Sequence, residues 1–236
     1  MNLEKAMDLF YRTLDLIKDP GIKKFSLNAA KKIPKEFFIA KSSSSGHYHT
    51  PENNIKGGLL VHVLKVELYG IDSCENLCPE YKDHVLSSAA FHDSWKGMKQ
   101  VNENWEWDGY APDHALLAYK WLEQFDLNEK DKKIIRSSIR THMADLSYPD
   151  SEKNLALFER LPLPQRILQF SDQAASRRWD SFIPGIDVIE LIKVNGLKKK
   201  NENNNEYENR IYEIVDSLVL KGLEKAIDKL YKRKAA

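Results

Sequence analysis

The stretch Ala89-Ala90-Phe91-His92-Asp93-Ser94-Trp95-Lys96-Gly97 sets the tightest constraint on how this chain can fold. It ends an apolar helical run with an imidazole and a carboxylate side by side, and an unpaired charge buried there is costly even after relaxation. A fold that buries the run must also supply a counter-charge, and a bound cation does so. Four more residues raise the same problem: His62, His114, His142 and Asp172 each stand on an apolar helix face or at a helix end.

The apolar spacing is helical along most of the chain. Residues Asn2 to Lys18 read as a first helix, with Leu3, Met7, Phe10, Leu14 and Ile17 in phase and Asp19-Pro20-Gly21 as the stop. A second short helix runs to Lys32. The polar segment Lys41 to Pro51 carries His47 and His49, which read as solvated loop histidines, the alternative being that one leans over the site that follows. Gly57-Gly58 opens a helix from Leu59 to about Ile71, whose Leu59, His62, Val66 and Tyr69 share a face. A helix from about Tyr81 to Phe91 delivers His92 and Asp93 at its C-terminal end, and His84 at its start reads as surface or capping.

Lys99 to Ala111 shows little helical periodicity and reads as an ordered loop or lid. Its Trp105 and Trp107 are either core packing or a stacking surface for a nucleobase. His114 falls in the first turn of a helix introduced by Pro112-Asp113, Asn128 caps a helix whose stripe is Ile135, Ile139, His142 and Leu146, and Pro162 and Pro164 introduce one with Leu168, Asp172, Ala175 and Trp179 on a face. Lys198 to Glu206 is a polar low-complexity loop. The last helix carries a stripe of Ile211, Val215, Leu218, Leu223, Ile227 and Leu230 that must dock on the main body or, as a homo-oligomer contact, on a second subunit. No hairpin pattern is evident, so the expected fold is all-α. It divides into N-terminal helices and a Ser-rich loop (1–50), a core (51–185), and a polar linker with an amphipathic helix (186–236).

Bulk properties narrow the function classes. With 36 basic against 35 acidic residues, no global field draws the chain to nucleic acid or an acidic membrane surface, so any such contact is local. No segment reads as a secretion signal or a membrane span, and the expected location is the cytoplasm. Two cysteines, Cys74 and Cys78, exclude a multi-disulfide scaffold and read as small residues on one helix face rather than a zinc half-site.

Four histidines and two aspartates spread over successive helices are how a helical bundle builds a metal centre. A mixed nitrogen and oxygen set favours Mn, Fe, Co, Ni or Zn over Mg or Ca. The order His62, His92-Asp93, His114, His142, Asp172, preceded by Gly-Gly-Leu-Leu-Val-His, resembles the HD-domain metal-dependent phosphohydrolase superfamily over roughly residues 55 to 180. The resemblance implies an HD-domain helical bundle with N- and C-terminal helical extensions. It also implies two divalent transition-metal ions, one held by His62, His92, Asp93 and Asp172 and a second completed by His114 and His142 with Asp93 bridging.

The spacing His-Asp-x-x-Lys-Gly is similar to the dinuclear phosphodiesterase branch, in which the lysine matching Lys96 faces substrate phosphate. The Gly-Tyr-Pro loop of the HD-GYP group is missing. The glycine-rich start with an upstream histidine pair is also similar to the HD module of bacterial 3′-to-5′ exoribonucleases.

The expected activity is therefore hydrolysis of a phosphoester of a nucleotide or nucleic-acid end. Asp93 and Lys96 carry the chemistry, and Arg140, Arg177, Arg178, Trp105 and Trp107 are candidate substrate contacts. Two other readings are a nucleotide-binding or regulatory module without turnover and a structural metal site with a closed coordination sphere.

Overall fold

Capping side chains fix where the first two helices begin. The computed structural model describes residues 1–42, 49–101, 104–107, 114–143, 160–176 and 202–235. In it α1 (Leu3–Asp15) starts where the Asn2 carboxamide accepts from Lys5 N at 3.0 Å. Asp19 plays the same part for α2 (Pro20–Ala30), accepting from Ile22 N at 2.8 Å with Pro20 in the first turn, so the stop of one helix is the start of the next. A short helix that the spacing does not announce, α3 (Lys35–Ile39), leads into the segment before α4.

The central rod is α4 (Gly58–Leu77), six residues longer at its C-terminal end than the apolar stripe suggests. Gly57 turns the chain into it with φ of 81°, a left-handed conformation that suits glycine. Every residue from Gly58 to Leu68 is buried, Lys65 and Glu67 included, so the N-terminal half of α4 is enclosed on all sides, while its last turns expose Asp72 and Glu75. It packs on α5 (Lys82–Phe91) and α8 (Leu163–Ser176), while α7 (Glu129–Thr141) packs on α5, α6 (His114–Trp121) and α8. His84 is not simply on the surface: its Nε2 lies 2.9 Å from Asp131 of α7.

Between α5 and α6 the chain departs from the expected loop. Gly97, with φ of 83°, turns it into strand β1 (Met98–Val101), which pairs antiparallel with β2 (Asn104–Trp107), Met98 opposite Trp107 and Val101 opposite Asn104. The four-residue strands are too short for periodicity to reveal. Apart from this hairpin the described residues form a helical fold.

The C-terminal rod comprises α9 (Asn204–Ile214), a π-helical turn (Val215–Val219) and α10 (Leu220–Ala235). It docks on the main body through α1 and α4. The wider π turn changes the register of the stripe, so Val219 and Leu220 are fully buried where α-helical spacing points to Leu218. Ion pairs Lys5–Glu224 (2.7 Å) and Arg12–Asp228 (2.5 Å) flank the seam. One apolar cluster includes Phe10, Phe25, Leu59, Leu86, Ile135, Leu168, Val215 and Leu223, joining both ends of the chain to the middle. Cys74 and Cys78 are buried free thiols with Sγ atoms 3.8 Å apart. No helix among the described residues is long and apolar enough to cross a membrane.

Candidate metal centre

Five helices and the turns that end two of them bring polar side chains to a single point inside the core. His62 comes from the second turn of α4, His92 and Asp93 from the end of α5, His114 from the start of α6, His142 from the C-cap of α7 and Asp172 from the middle of α8. All six sequence candidates for metal ligation are brought together. Three overlapping groups, His62/His92/Asp93, His92/His142/Asp172 and Asp93/His114/His142, each have ligand atoms within 4.8 Å of one another and could hold a metal ion.

The carboxylate of Asp93 divides this cluster. Its Oδ2 lies 3.5 Å from His92 Nε2 and 3.7 Å from His62 Nε2, whereas its Oδ1 lies 2.9 Å from His114 Nε2 and 3.6 Å from His142 Nε2. On the first side Asp172 Oδ1 stands 3.0 Å from His62 and 3.7 Å from His92. The facing ring nitrogens are close as well: 3.4 Å between His62 and His92, and 3.3 Å between His114 and His142.

Backbone carbonyls set the tautomers of two rings. His92 Nδ1 is 2.7 Å from Ala89 O and His142 Nδ1 is 2.6 Å from Ile139 O. A carbonyl only accepts, so each Nδ1 carries a proton, and each ring in its neutral form turns the lone pair of Nε2 toward the carboxylates. Lone pairs facing carboxylate oxygens at 3 to 4 Å repel without a positive charge between them. The donor set therefore fits a cation.

The groups of the cluster shift one another's protonation. Burial alone would raise Asp93, but Lys96, His92 and the nearby imidazoles of His114 and His142 hold it well below the usual carboxylate range. Asp172 is likewise pushed up by burial and pulled well down by His62 and His92. Burial lowers His62 and His142. It would lower His92 too, yet the charges of Asp93 and Asp172 win and raise it. A proton on His92 then supplies part of the counter-charge that a cation would otherwise bring.

The centre is largely buried. The side chains of His62, His92 and His142 have no exposure, Asp93 has 1%, Asp172 has 15% and Lys96 has 25%. Asp172 and Lys96 are thus the groups that solvent reaches. Lys96 Nζ lies 2.7 Å from Asp93 Oδ2, so this ammonium neutralises the shared carboxylate from the solvent side.

Other sequence candidates are placed less closely. Arg140 is exposed on the last turn of α7. Trp105 and Trp107 belong to β2, their side chains outside the description, and Arg177, Arg178 and His47 lie outside the described residues. The solvated reading of His49 does not hold. Its ring is 7% exposed and meets His62 edge-on at 5.1 Å between centroids. Burial, with the charges of His62 and Lys96 adding to it, pushes His49 down to about 2.

Three residues without a place in the sequence-based expectation, an acid, a base and an amide, also matter here. Glu52 and Lys65 form a fully enclosed ion pair at 2.6 Å, and Asn53 donates from Nδ2 to Ala175 O at 3.0 Å. Together they tie the segment before α4 to the helices carrying His62 and Asp172. The signal was present: a lysine inside Leu-Leu-Val-His-Val-Leu-Lys-Val-Glu-Leu is buried with its neighbours and so requires a partner. Searches against protein-family models, curated proteins and solved structures find no match to this chain.

Proposed function

We propose that this protein is a metal-dependent phosphohydrolase of the HD type, hydrolysing a phosphoester of a nucleotide or of a nucleic-acid end. The observation that carries the reading is the division of Asp93, one oxygen toward His62 and His92 and the other toward His114 and His142. A carboxylate shared in this way suits two adjacent cations, with Asp172 completing the first set of ligands. Imidazole and carboxylate donors together suit Mn, Fe, Co, Ni or Zn. Such ions, when bound, act as Lewis acids on a phosphoryl oxygen and lower the pKa of water to about 7.

The chain's own groups supply the rest. Asp93, Asp172 and the four imidazoles would hold the cations, and the hydrogen bonds from His92 and His142 to Ala89 and Ile139 stop those rings from turning. Lys96, partly exposed on a flexible stem, moves from Asp93 to a phosphoryl oxygen and offsets charge that grows there. The apolar walls of α4 and α5 exclude bulk water from the remaining sides, which strengthens each of these interactions. Partial exposure of Asp172 and Lys96 supports a working site over a sealed structural cage, since a ligand reaches the ions from that side.

The test is turnover of bis-nitrophenyl phosphate by protein loaded with Mn or Co. Wild type is expected to hydrolyse it, and Asp93→Ala to lose at least about 100-fold, because it disrupts the set of ligands on both sides of the cluster. Equal rates for the two proteins, or no turnover with any metal alongside measurable nucleotide affinity, would replace the enzyme reading with that of a binding module.

A further inference from the structure

One imidazole at the centre has no part in the ligand set. Among the described residues, His49 belongs to none of the groups whose donor atoms converge and its buried Nδ1 has no hydrogen-bond partner, yet it is 7% exposed and packs edge-on against His62. The charges acting on it come from the centre itself: His62, Lys96, Asp172 and Asp93. A polar atom enclosed without a partner loses its hydration and gains nothing in return, which a folded protein tolerates where a ligand supplies the missing bond.

The segment bearing His49 is anchored on both sides. Asn54 Nδ2 donates to His49 O at 3.1 Å, and Ser42 donates to Asn53 O from both its backbone N (2.9 Å) and its Oγ (2.7 Å). Asn53 Nδ2 reaches Ala175 O, three residues beyond Asp172, and Lys65, three residues beyond His62, is paired with Glu52. His49 is thereby held in register with two of the ligands, and such fixed placement is what positioning a reactive group requires.

We propose that His49 is a substrate-binding residue, its Nδ1 hydrogen-bonded to an oxygen of the phosphate group that docks on the His62 and Asp172 side of the centre. This rests on the phosphohydrolase reading for the nature of the ligand, and it adds a contact that the metal ligands do not provide.

Titration calorimetry tests it, first with Mn²⁺ and then with inorganic phosphate on the Mn-loaded protein, for wild type, His49→Leu and His49→Asn. Asparagine places a polar atom where Nδ1 stood, and leucine keeps bulk without it. The expected result is Mn²⁺ affinity within about twofold in both variants, phosphate binding weakened about tenfold in His49→Leu, and His49→Asn within about threefold of wild type. Should His49→Leu fail to fold by circular dichroism, His49→Phe replaces it under the same criterion.

Unchanged phosphate affinity in the apolar variant, loss of Mn²⁺ affinity in step with phosphate, or no phosphate binding by loaded wild type would each overturn the proposal. Phosphate binding that depends on His49 without ester turnover would sink the phosphohydrolase reading alone. Turnover with phosphate affinity indifferent to His49 would sink this one alone.

Discussion

Replacing Glu67 by glutamine should stabilise the protein, increasingly so as pH rises. Glu67 is fully buried on α4, with Oε2 2.7 Å from Thr13 Oγ1 and no hydrogen-bond partner for Oε1. Thr13 Oγ1 also lies 2.8 Å from Phe10 O. A carbonyl only accepts, so the single hydroxyl proton of Thr13 goes to Phe10, and the proton in the Glu67 contact comes from the carboxyl. Burial raises the Glu67 pKa well above its ordinary value, in keeping with a carboxyl that holds its proton.

The linkage has a definite sign. A folded-state pKa above the unfolded one gives stability that is fully present below the unfolded value, about 4.3, and is lost as pH rises toward the folded value. Within that window each pH unit costs wild type about 1.4 kcal/mol, the free energy of holding one proton that the unfolded chain has released. Glu67→Gln has no such proton, and its amide can still donate to Thr13. Urea unfolding of both proteins at intervals from pH 4 to pH 8 reads the difference, in which the titrations common to both cancel. Parallel curves, or a variant less stable at neutral pH, would mean that the carboxylate is ionised in the fold and that the proton count is wrong.

Two further substitutions probe the segment that holds His49. Lys65→Met should cost about 3 to 5 kcal/mol in urea unfolding, because it leaves the enclosed Glu52 carboxylate unpaired, and adding Glu52→Gln should recover much of that loss. Gly58→Ala should destabilise by about 1 to 3 kcal/mol, since a Cβ there would overlap the backbone of Asn53 and push the segment off α4, a change read as a lower thermal midpoint.

How much of this was visible in the sequence depended on what each residue would cost if misplaced. His62, His142 and Asp172 announced themselves because an apolar helix face cannot carry an imidazole or carboxylate without a partner, and each was found turned to the same point. His49 gave no such sign: the segment around it is polar and has no periodicity, and its burial comes with a ring contact to His62 of α4 and with the neighbouring Asn53 held on α8, both distant in sequence. The β1–β2 hairpin was missed because strands of four residues leave too little pattern to read. The displaced stripe on the C-terminal rod has a third cause, a backbone register that changes within one turn while the sequence keeps its helical spacing.

These three differences bear unequally on function. The rod packs on α1 and α4 and supplies none of the candidate ligands among the described residues. The segment from His49 to Asn54 touches the two helices that supply His62 and Asp172, so an error there would reach the site. The candidate ligands therefore follow from local cost, whereas the placement of His49 follows from long-range packing. For that reason the cluster of groups that could hold a metal ion was legible in the sequence and the burial of His49 was not.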